Sequence, residues 1–163
     1  LLEHHQEYDA FHASPPCQAH TKCQKLQGND HPDFISAVRS AFQMIGKPWV
    51  IENVPGSPLM NATTLCGCMF PGIRTYRPRM FESNRVTIDV ECRPHLARTT
   101  KMGRPPRTGE FMHVVGNFSG VQNARDAMGI DWMSRDELRE AIPPVYTECL
   151  GRELIRVCRT RPN

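Results

Sequence analysis

Between Pro32 and Ile45 (PDFISAVRSAFQMI) the apolar residues Phe34, Ile35, Val38, Phe42 and Ile45 recur at helical spacing, and Gly46 follows as a stop. This pattern predicts an amphipathic helix. Shorter apolar runs flank it. Tyr8–Ala13 alternates aromatic and small residues and halts at Ser14-Pro15-Pro16, as a strand entering a turn does. Trp49-Val50-Ile51 is continuously apolar between Pro48 and the turn cluster Asn53–Pro58, the pattern of a buried strand. Strand, helix and strand on short links predict a βαβ unit with parallel strands.

Further along, Met80–Val90 reads as extended, with alternation at Val86 and Ile88. From Cys92 to Gly109 the pattern breaks: Arg93, Arg98, Lys101, Arg104 and Arg107 stand among prolines and glycines with no acidic residue between them. That texture predicts a basic, weakly structured insertion outside the core. Asp126–Met133 and Ser134–Ile142 read as short helices, the second opened by a Ser134/Glu137 capping box. Pro143-Pro144 then precedes a last helix over Val145–Val157, with proline in its first turn. The expected organisation is a catalytic α/β portion over residues 1–91, a small basic insertion over 92–120, and a helical part over 121–163 that returns to the first.

Composition narrows the class. The chain has 163 residues, 39% hydrophobic and 23% charged, which suits a folded domain and excludes a solvated disordered chain. Its longest uncharged stretch, Val54–Ile73, is broken by Pro55, Pro58 and Pro71, so no membrane span is expected. No basic-then-apolar leader opens the sequence, which predicts a cytoplasmic location, and Leu1 in place of methionine suggests a piece of a longer chain. A net charge of +3 permits a nucleic-acid partner. Seven cysteines at irregular spacing point to reduced thiols instead of a disulfide framework.

Two constellations carry candidate chemistry. Ser14-Pro15-Pro16-Cys17-Gln18 follows the first strand, where α/β sheets place ligands, and a thiolate at Cys17 could act as a nucleophile. Glu52-Asn53-Val54 follows the second strand, where a carboxylate between core and turn can donate a proton. Taken singly, each also reads as ordinary structure, an inert buried thiol and a loop-capping glutamate.

Together these residues resemble the central motif pair of the DNA cytosine-5 methyltransferases. Arg77-Pro78-Arg79-Met80-Phe81 is similar to that family's Arg-x-Arg motif, and Ala141-Ile142-Pro143-Pro144 to its last motif. The stretches ASPPCQAHT, VIENVPG, TLCGCMF, RPRMFESN, AMGIDWM and IPPVYTE also resemble small bacteriophage-type methylases. The resemblance implies a partial Rossmann-like methyltransferase fold, α/β with a mostly parallel sheet. It implies addition of Cys17 to C6 of a flipped cytosine, Glu52 acting at N3, and methyl transfer from S-adenosylmethionine to C5. Arg77 and Arg79 would hold the nucleotide, Pro16, Gln18 and Asn53 would support the catalytic loops, and Ala19–Asp30 would close on DNA. A role in restriction-modification would follow. Arg93, Arg98, Lys101, Arg104 and Arg107 would bind DNA from the target-recognition region.

The family's glycine-containing cofactor loop has no counterpart before Tyr8. Pro15 and Asp9 are the nearest cofactor-side candidates, and the resemblance implies a truncated or split form that takes an N-terminal cofactor-binding fragment as partner. The competing reading is a non-catalytic or zinc-stabilised DNA-binding module, with Cys66, Cys68, Cys92 and His95 as metal ligands. The single residue between Cys66 and Cys68 is tight for such a site, whose paired cysteines usually stand two to four apart.

Overall fold

The computed structural model describes residues 3–20, 31–88, 92, 94–101 and 104–160. The chain divides into two units, one of Leu1–Thr64, Arg79–Asp89 and Leu150–Asn163, the other of Leu65–Pro78 and Val90–Cys149. Residues 65–78 thus join the basic segment and the following helices. The organisation expected from sequence, with an insertion over 92–120 only, cut the chain elsewhere. The fold is mixed α/β, and among the described residues no helix is long and apolar enough to cross a membrane.

In the first unit, β1 (Phe11–Ala13) pairs in parallel with β2 (Trp49–Asn53), with Phe11 opposite Trp49 and Ala13 opposite Ile51. The connecting helix α1 (Ile35–Ile45) begins later than its apolar periodicity suggests. The reason is local: the Asp33 carboxylate accepts from the Ile35 N–H at 2.9 Å, so Pro32–Phe34 lie outside the helix. At the other end Gly46 turns left-handed at φ 70° and donates to the Phe42 carbonyl, as the sequence anticipates.

Phe42 of α1 packs between Phe11 and Trp49, ring centroids 5.7 and 5.9 Å away, and Ile51 completes this core. Strand alternation puts Val50 and Glu52 on the opposite face from Trp49 and Ile51. The third main strand, β4 (Arg79–Ser83), runs antiparallel to β2 with Phe81 opposite Glu52. With β3 (Thr63–Leu65) at the edge, the order is β1-β2-β4-β3. The sheet is therefore mixed, where a mostly parallel one was expected.

The extended stretch from Met80 also ends early. Ser83 Oγ accepts from the backbone of Val86 at 2.9 Å, folding the chain into a turn, and residues 89–90 lie outside the described residues. On the α1 face of this sheet, Arg39 grips Glu82 through two bonds of 2.6 and 2.7 Å, while Glu82 also accepts from the Met60 N–H.

The second unit holds a parallel pair, β5 (Thr99–Thr100) with β6 (Phe111–Met112). Its core gathers Met112, Val114 and Phe118 with Ala124, Ala127, Met128, Ile130 and Leu138. Met112, Val114 and Phe118, within the stretch expected to be insertion, are core side chains of this unit. Helix α2 (Val121–Met128) lies five residues earlier than the sequence pattern places it, ended by Gly129 at φ 67°. The Ser134/Glu137 box caps α3 (Arg135–Glu140), with Glu137 Oε2 accepting from the Ser134 N–H at 2.7 Å. The last helix, α4 (Pro144–Arg159), opens on proline.

Candidate active site

Parallel pairing brings the carboxyl ends of β1 and β2 to one edge of the sheet, so the Pro-Pro-Cys turn and the Glu-Asn-Val turn leave it together. A buried hydrogen bond ties them: Asn53 Nδ2 donates to the Pro15 carbonyl at 3.0 Å, and Asn53 Oδ1 accepts from the Val54 N–H at 2.9 Å. One side chain thereby fixes the backbone two residues before Cys17 and two residues after Glu52. Cys17 is half-buried beyond the exposed Pro16, and Gln18 starts a short helical turn over Gln18–His20. Residues 21–30 of the expected closing loop lie outside the described residues.

Because β4 is antiparallel, it starts at the sheet end where β2 stops. Arg79, its first residue, and Glu52 therefore share that end, and Arg79 Nε meets Glu52 Oε1 at 3.1 Å. Both side chains are largely shielded from water, 15% and 10% exposed, so this ion pair is far less screened than a surface one. Cysteine turn, carboxylate and guanidinium converge at one edge.

Arg77 is elsewhere. Expected beside the nucleotide with Arg79, it belongs to the second unit and is 6% exposed. Its Nη1 donates to Val114 O and its Nη2 to Arg139 O, both at 2.6 Å, and its Nε donates to Ala141 O. A buried guanidinium needs acceptors, and three backbone carbonyls supply them. The Arg-x-Arg spacing thus splits into one residue that pairs with Glu52 and one that braces a loop.

The two cofactor-side candidates, Asp9 and Pro15, differ in exposure. The Asp9 side chain is exposed, and Pro15 is buried with its carbonyl held by Asn53.

Arg98, Lys101, Arg104 and Arg107 are all exposed, while Arg93 lies outside the described residues. Arg104 is already engaged, forking Glu110 through bonds of 2.6 and 2.8 Å. Sequence reading missed this partner because it stands just past the acid-free run. The Arg104 bond, with the Arg107 N–H, holds the Glu110 carboxyl down to about 2. A lowered carboxyl contributes stability above its ordinary range, and that contribution disappears as pH falls through about 2. A carbon-detected NMR titration of Glu110 should show that midpoint, and Arg104→Ala should return it toward about 4.3. An unmoved midpoint in the variant would mean the fork is not what depresses it.

A second cluster lies in the other unit. The sulfurs of Cys66, Cys68 and Cys92 and a ring nitrogen of His95 all fall within 4.8 Å of one another. Burial, helped by neighbouring sulfurs, pushes the Cys66 thiol up to about 12 and also raises Cys92. Tyr76, which no sequence pattern singled out, stacks on the His95 ring at 3.8 Å between centroids. No protein-family model matches the chain, and no curated protein matches it either.

Proposed function

We propose that this chain carries the catalytic face of a DNA cytosine-5 methyltransferase. The observation that carries the reading is the junction of the Cys17 turn and Glu52 at one sheet edge, tied by the bond from Asn53 to Pro15 and completed by Arg79 on Glu52. The order of the motifs along the sequence supports the same reading.

In this mechanism the Cys17 thiolate forms a bond to C6 of cytosine. Glu52, protonated as the base enters, gives its proton to N3 and becomes the carboxylate that pairs with Arg79, while the electron pair of the C5–C6 double bond moves to C5, which then behaves as an enamine carbon. Arg79 holds the Glu52 carboxylate in place and contributes positive potential that favours the thiolate. Asn53 keeps both turns in register as the base enters. The methyl group itself would come from S-adenosylmethionine. A paired base is out of reach inside the duplex, so it must swing out, at a cost of a few kcal/mol. Arg98, Lys101 and Arg107 offer exposed cations for phosphates.

Cysteine addition has a readout that needs no cofactor. Once S–C6 is formed, C5 takes a proton from water and releases the hydrogen it carried, after which the thiolate leaves and cytosine is restored. Duplexes with random flanks and tritium at C5 of cytosine should therefore lose tritium to water in the presence of the chain. Cys17→Ser should abolish the release. No release from any duplex, or release that survives Cys17→Ser, would overturn the reading.

A further inference from the structure

We infer that Cys66, Cys68, Cys92 and His95 form a structural zinc site. The inference is independent of the proposed methyltransferase activity. The four ligand atoms form a closed ring: Cys66 Sγ to Cys68 Sγ is 3.4 Å, Cys68 Sγ to Cys92 Sγ 3.5 Å, Cys92 Sγ to His95 Nε2 3.4 Å, and His95 Nε2 to Cys66 Sγ 3.2 Å. Zinc bonds of about 2.3 Å to sulfur and about 2.0 Å to nitrogen give a tetrahedron with edges of roughly 3.5–3.8 Å. The ring needs to open by only a few tenths of an ångström to hold the ion. Sulfur separations of 3.4 and 3.5 Å are far from a disulfide bond of about 2.05 Å.

The surroundings hold these atoms in place. Gly67, between the first two cysteines, has no room for a side chain, since a Cβ there would lie 1.8 Å from the Thr75 carbonyl. Its N–H donates to Tyr76 O at 2.7 Å, fixing the tight turn that makes a one-residue gap workable. His95 is stacked on Tyr76, whose hydroxyl accepts from the Ala97 N–H at 2.8 Å and donates to its carbonyl at 3.1 Å. Tyr76 thus orients the imidazole from its face and anchors the chain two residues on.

Three thiols and one imidazole are the donors of structural zinc, and they disfavour magnesium and calcium, which take oxygen. On binding, the three thiols release their protons to solvent and the metal takes their electron pairs. Four protein ligands leave no open position, so the ion would be structural, not catalytic. It would clamp the turn at 66–68 to the segment at 92–95, four residues before β5 and the exposed cations of the basic run.

The full chain, produced in zinc-supplemented medium, should retain one zinc per molecule by native mass spectrometry. After removal of zinc under reducing conditions, Co²⁺ should restore one equivalent with the intense visible bands of a tetrahedral ion and strong thiolate-to-metal charge transfer. Cys92→Ser should lose one thiolate's share of that charge transfer, whereas Cys158→Ser should leave it unchanged. A weak octahedral cobalt spectrum, no retained metal, or a chain two hydrogens lighter through a Cys68–Cys92 disulfide would overturn the assignment. The cobalt titration of the unmodified chain decides the matter even if a ligand variant does not fold.

Discussion

Glu52→Gln is expected to slow tritium release from C5 of cytosine by about 10²–10⁴-fold, the usual worth of a positioned general acid. That range corresponds to about 2.7–5.4 kcal/mol of transition-state stabilisation. Glutamine preserves the shape of the side chain and its place opposite Phe81 on β4, so the sheet should persist. What it removes is the acid that delivers a proton to N3 and, in the ionised form, the carboxylate that Arg79 Nε meets at 3.1 Å. Circular dichroism should match the unmodified chain while the rate falls. An unchanged rate would show that Glu52 takes no part in activating the ring, and the proposed chemistry would lose its acid. Cys17→Ser differs in kind, since it removes the nucleophile and leaves the ion pair intact.

Arg77→Met should be the most damaging single change to stability. Its guanidinium donates to Val114 O, Arg139 O and Ala141 O from a position only 6% exposed. Methionine fills the space, but three buried carbonyls lose a charged donor, and each such loss costs about 1–3 kcal/mol. The sum is several kcal/mol against a typical total of about 5–15 kcal/mol, so the second unit should be largely unfolded or its urea midpoint sharply lowered. Arg98→Met, on an exposed side chain of the same unit, should stay within about 0.5 kcal/mol. Urea unfolding followed by far-ultraviolet circular dichroism checks both. Were Arg77 a nucleotide-holding residue, its loss would leave the midpoint unchanged and lower only the rate.

Why one arginine of the Arg-x-Arg pair is structural could not be read from spacing. Arg79 opens a strand that the sequence marks as extended from Met80 onward, and its place beside Glu52 follows only from that strand's antiparallel pairing with β2. Arg77 stands two residues earlier, with a backbone at φ 36°, and its three acceptors come from 37 to 64 residues further along the chain. No local pattern announces such acceptors. The same holds for Glu110, whose fork on Arg104 is invisible to a count of charges in the run before it. It holds again for Tyr76, an aromatic residue with no distinguishing neighbours, which stacks on a histidine 19 residues later.

What the sequence determined by itself was local. The Pro32–Ile45 periodicity and Gly46 define α1, the Ser134/Glu137 box starts α3, and Pro144 opens α4. The apolar run at Trp49 marks β2, and the strand, helix and strand patterns give the β1-α1-β2 order, whose parallel pairing brings two turns to one sheet edge. These features rest on backbone hydrogen bonds and side-chain periodicity within a few residues, so neighbouring residues carry their whole signal. Tertiary structure alone decided the antiparallel direction of β4, the assignment of residues 65–78 to the second unit, and the meeting of Cys66 and Cys68 with Cys92 and His95. Each of those depends on burial between segments far apart in the chain. Such contacts are selected by the complementarity of whole surfaces, and that complementarity exists only once the chain has folded.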